Sequence, residues 1–183
     1  MIKLPHWLLI GAAGRNAGKT ALACALIARH HPVAAVKVTV VRPSDHGCPR
    51  GGDGCGVCSS VDDTPYWITE ETDRASPKDT ARLLDAGASP VLWLCTRQAA
   101  LPEALDALLA RLPDGPVIAE SNSLRHLVTP GLFLMVRLQG DPTTKPSARA
   151  VLPHVDRVVH SDGAVFDLDL DDVVLEDGAW RLL

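Results

Sequence analysis

Trp7–His31 reads WLLIGAAGRNAGKTALACALIARHH, and the order of its three parts decides the fold. Trp7 to Ile10 is an apolar run too short for a helix, and it stops at Gly11, so it reads as a buried strand opening into a glycine-rich loop. After Gly18, Lys19 and Thr20, the stretch ALACALIARHH combines strong helix formers with apolar residues at helical spacing until Pro32 blocks continuation. Between strand and helix lies AGRNAGKT, Ala13 to Thr20. It fits the pattern of a phosphate-binding loop, with Ala13 in the first glycine position, a replacement a small residue makes if its backbone angles stay negative.

The chemistry of such a loop assigns each residue a task. Successive amides of Gly14, Arg15, Asn16, Ala17 and Gly18 point at a phosphate, and the helix amino end adds a favourable dipole. Lys19 neutralises phosphate oxygens and the Thr20 hydroxyl ligates magnesium. Gly18 has to be small, because a side chain there would intrude on the phosphates. Arg15 and Asn16 either face solvent or reach across to nucleotide on the same or a neighbouring subunit. The bland alternative is a glycine-rich turn with a solvated lysine.

Working outward, VAAVKVTVV (residues 33 to 41) is β-branched and nearly continuously apolar, as expected of a parallel strand covered on both faces. From residue 42 to 66, Pro, Gly, Asp, Ser and three cysteines replace the periodic apolar residues, and a loop that long is uncommon unless functional or mobile. SPKDTARLLDAG then predicts a helix with Ser76 as N-cap, Pro77 in the first turn and Gly87 as C-cap. PVLWLCT (90–96), PVIAES (116–121), GLFLMVRL (131–138) and residues 157–160 read as strands. LPEALDALLARL (101–112) reads as an amphipathic helix, and a short helix is expected around residues 147–152. The tail predicts a hairpin turned at Asp177 and Gly178. Strands alternating with helices imply an α/β fold with an open, mostly parallel sheet and helices on both faces, binding ligand at the carboxyl ends of the strands. With 183 residues, the expectation is one domain, 1–183, carrying a cysteine-rich insertion at 42–66.

Composition removes several classes of function. Hydrophobic residues at 46% and charged residues at 22% are ordinary globular values, which exclude a fibrous or disordered chain. A net charge of −4 and the lack of a basic run argue against nucleic acid. No window offers the roughly 20 apolar residues of a membrane span, and the start lacks a signal-peptide pattern, so a cytoplasmic location is expected.

Phosphoryl chemistry needs an acid to hold the metal ion. Glu120, closing the strand PVIAES, is the preferred candidate, with Asp45, Asp53, Asp62 and Asp63 in the long loop as competitors and a capping or ion-paired acid as the bland alternative. Lys37 either emerges near the phosphate site or snorkels from an edge. The guanine-reading Asn-Lys-x-Asp sequence does not follow GLFLMVRL, so ATP and GTP both stay open.

HGCPRGGDGCGVCSS places Cys48, Cys55 and Cys58 at Cys-x6-Cys-x2-Cys spacing. Three thiolates fall one short of a structural zinc set, so either His46 completes it or two subunits pool thiolates around zinc or an iron-sulfur cluster. A redox disulfide between Cys55 and Cys58, or simply free thiols, are the other readings. Cys24 and Cys95 fit buried small hydrophobes. The remaining histidines show no ligand spacing, and DLDLDD fits a solvated strand face.

AGRNAGKT with its flanking strand and helix, then AVKVTVV, KDTARLLDAGASPVLW and PVIAESNSL, follow in an order that resembles the MobB family, GTP-binding proteins of molybdopterin-guanine dinucleotide biosynthesis. KDTARLLDAGA carries most of the likeness, which covers roughly Leu8 to Leu138. The resemblance implies a SIMIBI-class, dimeric P-loop fold, nucleotide contact by Gly14, Gly18, Lys19 and Thr20, and a metal-facing acid at Glu120. The chain departs from the family in having Lys37, Val38 and Thr39 where a Lys-His pair is usual, and in its cysteine loop. The leading expectation is therefore a homodimeric nucleoside triphosphatase using Mg2+ with ATP or GTP. It would act with a metalloenzyme or cofactor-biosynthesis partner, its cysteine loop holding Zn2+ or an iron-sulfur cluster. The alternatives are a small-molecule kinase or ligase like dethiobiotin synthetase, and a non-catalytic adaptor that senses nucleotide.

Overall fold

Alternation along the first strand sets the layers. In a computed structural model, which describes residues 1–41 and 64–183, β1 runs Ile2–Ala12. Leu8, Ile10 and Ala12 enter one apolar cluster, whereas Trp7 and Leu9 enter another, as side chains of period two must when both faces of a strand are covered. Helices lie on each face. The first cluster takes Leu22, Ala23, Leu26 and Ile27 of α1 (Lys19–His30) and Leu83 of α2 (Asp79–Asp85). The second takes Leu101, Ala104, Leu105 and Leu108 of α3 (Leu101–Leu109) and Ala148 of α4 (Pro146–Arg149). Each fully buried Leu or Ile contributes about 1.5–3 kcal/mol relative to exposure, so α1 is held by its packed face more than by propensity.

Among the described residues seven strands form the sheet: β1, β2 (Ala34–Val41), β3 (Tyr66–Glu70), β4 (Val91–Arg97), β5 (Val117–Glu120), β6 (Val128–Leu138) and β7 (Arg157–Ser161). Their order is β3-β4-β2-β5-β1-β6-β7. All neighbouring pairs are parallel except β3 with β4, so the fold is α/β with a mixed, mostly parallel sheet. The chain leaves β1, skips a position to lay down β2, and later returns to insert β5 between them. The carboxyl ends of β1, β5 and β2 therefore meet at the reversal of strand order, where open α/β sheets leave a crevice.

Several boundaries differ from the sequence reading. β1 begins at Ile2 rather than Trp7: Pro5 is accommodated at a register shift between Leu4 and Leu8. Gly131 of β6 lets that segment approach, since a Cβ there would lie 2.0 Å from the Pro5 carbonyl oxygen. β3 was not foreseen, and it claims Tyr66, which the sequence reading gave to the long loop. Ser76 does not cap α2. The helix starts at Asp79 after an extended Lys78, and no side chain caps it. Its far end is closed by Gly87 at φ 108, one residue past the C-cap Ala86. The amides of Gly87 and Ala88 turn back to Leu84 and Leu83. The terminal hairpin, β8 (Val173–Glu176) and β9 (Ala179–Leu182), turns at Asp177 and Gly178, both left-handed, as its sequence indicated. No helix among the described residues is long and apolar enough to cross a membrane.

Candidate functional site

The glycine-rich loop is built at the crevice by its two neighbours. Ala13 N donates to Val136 O of β6 at 2.8 Å, and Lys145 N donates to Ala13 O at 2.9 Å, so the loop leaves the sheet already fixed. Asn16 and Gly18 are both left-handed, at φ 53 and 91, on either side of Ala17. Such alternation turns neighbouring backbone amides toward one side. The α1 ladder opens with Leu22 N to Gly18 O at 3.0 Å, which leaves the preceding amides outside it at the positive end of the helix. Gly14 has a different reason to be small: a Cβ there would sit 3.0 Å from the Asp141 carboxylate. That carboxyl lies below its usual range because the Thr143 side chain and amide hydrogen-bond to it.

Lys19 opens α1, and Glu120 closes β5 beneath it. Their Nζ and Oε2 atoms are 3.3 Å apart. Glu120 is fully buried, and neither carboxylate oxygen has a hydrogen-bond partner among the described residues. A buried carboxylate facing a single ammonium is costly unless further donors or a cation complete its surroundings. Thr20 lines the same cleft and is also buried.

Register brings in Lys37. It stands opposite Glu120 across the β2–β5 ladder, as Ile10 does across β1–β5. The Lys37 side chain is only 11% exposed and is ion-paired with Asp79 at the start of α2. The Asp79 carboxylate also lies 4.0 Å from Arg82 Nη1. Together the glycine-rich loop, the end of β2 and the start of α2 wall a cleft of about 850 Å³. Arg15, Lys19, Lys37, Lys78, Arg82 and Lys145 all line it, in a chain whose net charge is negative. Cys24, one turn into α1, sits behind this wall with its thiol 3.5 Å from the Arg82 carbonyl. Burial pushes that thiol above its usual range, Arg82 opposes the rise, and the carboxylates of Glu120, Asp79 and Asp85 add to it.

The predicted residues Gly14, Arg15, Asn16, Ala17, Gly18, Lys19 and Thr20 thus line one cleft, and Glu120 pairs with Lys19. Arg15 and Asn16 are exposed. Cys48, Cys55, Cys58 and His46, with Asp45, Asp53, Asp62 and Asp63, lie outside the described residues. Among the described residues, no three His, Cys, Asp or Glu side chains gather as metal ligands.

Sequence reasoning passed over Asn122. Its side-chain oxygen accepts from Ala12 N at 3.0 Å and its amide donates to Ala12 O at 3.1 Å, extending the ladder by a side chain where β1 becomes the loop. Gly11 makes room, because a Cβ there would meet the Asn122 oxygen at 2.5 Å. The only sequence signal was a polar residue just past a strand end. Asp79 and Arg82 were read as helix residues and not as cleft residues for the same reason: strand order, which one helix cannot announce, carries them there. Compared with family models, curated proteins and solved structures, the chain matches none, so its functional reading rests on the cleft itself.

Proposed function

We propose that this chain is a magnesium-dependent nucleotide-binding protein of the P-loop type that hydrolyses ATP or GTP. One observation carries the reading: a glycine-rich loop between β1 and α1 lines a basic cleft and pairs its Lys19 with a buried, hydrogen-bond-deficient Glu120. The loop amides and Lys19 would bind the phosphate chain and stabilise the charge that develops as the terminal phosphoryl group departs, the largest contribution such a site can make. The orphaned oxygens of Glu120 and the Thr20 hydroxyl have the hard-oxygen chemistry magnesium requires, and they would hold it directly or through water. The ion, when bound, neutralises phosphoryl oxygens. Burial of Glu120 keeps bulk water from that locus.

The same proposal extends to a homodimer acting at a metallocofactor or metal-delivery step. That part depends on Cys48, Cys55 and Cys58, and elemental analysis of protein purified without oxygen tests it: stoichiometric zinc or iron is expected, and full thiol titration without metal would remove it. For the nucleotide itself, calorimetric titration with magnesium ATP and magnesium GTP should show binding by at least one. Lys19→Ala should weaken that binding about a hundredfold, in the range of a lost charge-assisted contact. Equal affinity in the variant would overturn the reading.

A further inference from the structure

The cleft has two walls, and the glycine-rich loop supplies only one. The facing wall comes from β2 and the start of α2 and presents Lys37, Lys78 and Arg82. Its chemistry is distinctive in three respects. Asp79 is shared between Lys37 and Arg82, so a single carboxylate serves two cations while Lys78 adds a third. Lys37 is almost buried, so its ammonium is removed from most of the water that would otherwise solvate it. And no aromatic side chain lines the cleft among the described residues, so this wall gives a nucleobase nothing to stack on. Among the described residues Asp79 is the one acid that lines the cleft with these cations, and gathering them there costs folding energy by self-repulsion. An oxyanion would relieve it.

Size agrees with this. A cleft of about 850 Å³ sits near the upper end of small-ligand sites, which span roughly 300–1,000 Å³. A phosphate chain cradled by Gly14–Thr20 follows one wall and leaves the other facing open volume.

We propose that the β2–α2 wall, through Lys37, Lys78 and Arg82, is a second oxyanion site that takes a small carboxylate- or phosphate-bearing molecule beside the nucleotide. Asp79 is the internal counter-ion that pairs with Lys37 until the ligand arrives. The inference deepens the nucleotide reading and takes from it the identity of the first wall's occupant.

The test holds the first wall occupied. Protein saturated with magnesium and a non-hydrolysable triphosphate is titrated by calorimetry with inorganic phosphate and, separately, with succinate. At least one of the two should bind, and the tighter of them names the group recognised. Arg82→Gln and Lys78→Gln, both at exposed positions that the fold tolerates changing, should each weaken that binding about tenfold, with Lys37→Met as the more severe variant. Failure of both anions to bind the saturated protein, or unchanged binding in the Arg82 and Lys78 variants, would overturn the second site. Lys19→Ala protein separates the two proposals: it should keep the second anion while losing the triphosphate. If wild-type protein binds no triphosphate, the nucleotide reading fails, and the second site is judged on phosphate and succinate binding to Lys19→Ala alone.

Discussion

Glu120 is the residue on which the site turns. It has no bulk solvent and no hydrogen-bond donor among the described residues, only the Lys19 ammonium at 3.3 Å. If its role is in turnover, Glu120→Gln, which keeps shape and removes charge, should leave triphosphate binding measurable while slowing hydrolysis at least about a hundredfold, within the span of positioned acid–base and metal-holding groups. Hydrolysis at the wild-type rate would show that the carboxylate is structural. Asn122 makes the contrasting case, since it does not itself line the cleft and instead splices its amide onto Ala12. Asn122→Ala strands a buried amide and carbonyl, so urea unfolding should report a loss of about 1–3 kcal/mol, and a change below about 0.5 kcal/mol would contradict that account. Both residues sit at the end of PVIAESN, yet only Glu120 was legible. A carboxylate at a strand terminus marks itself as a candidate by its type, whereas the task of Asn122 is set by a partner 110 positions away.

Elements were legible where a local signal was complete. The hairpin of β8 and β9 declared itself through Asp177-Gly178, and α1 through its apolar face and Pro32. β3 was missed because YWITE is short and lies beside a long polar stretch, although its aromatic and β-branched residues are those that strands favour. β1 was cut short because Lys3, Pro5 and His6 break the apolar run, and only pairing with β6 shows that the strand continues through them. The hairpin is fastened to the body by Trp180, which is fully buried, donates from Nε1 to His6 O at 3.0 Å and meets the His30 ring edge-on at 4.9 Å. Trp180→Ala should cost about 3–5 kcal/mol in chemical unfolding. A cost under about 1 kcal/mol would mean that the hairpin is not docked. Burial, assisted by the Arg29 charge and opposed by a hydrogen bond to the Val173 backbone, holds the His30 imidazole below its usual range. The unfolded chain therefore takes up a proton first as pH falls. This contribution is fully present above about pH 6.5 and is lost below it, down to the folded-state value. His30→Phe should lose less stability than wild type between about pH 7.5 and about pH 5.5, and identical losses would contradict the assignment.

For the molecule as a whole, the sheet order unites the pieces. Placing β5 between β1 and β2 sets Glu120 between Ile10 and Lys37, brings α2 over the end of β2, and gathers six cations from four separate segments into one cleft. Composition does not show this, because the net charge of the chain is negative and the basic residues are scattered along it. A basic cleft in an acidic chain attracts a polyanion through a local field that salt screens, so triphosphate affinity should fall as ionic strength rises from about 0.05 M to about 0.5 M. Affinity that is insensitive to salt would place the ligand elsewhere. In the proposed nucleotide complex the amides between Gly14 and Thr20 would face the phosphate chain. Amide hydrogen exchange across that segment, measured with and without magnesium triphosphate, tests it most directly. Slowed exchange at Gly14–Thr20, absent in Lys19→Ala, is the predicted result, and exchange that nucleotide leaves unchanged there would contradict it.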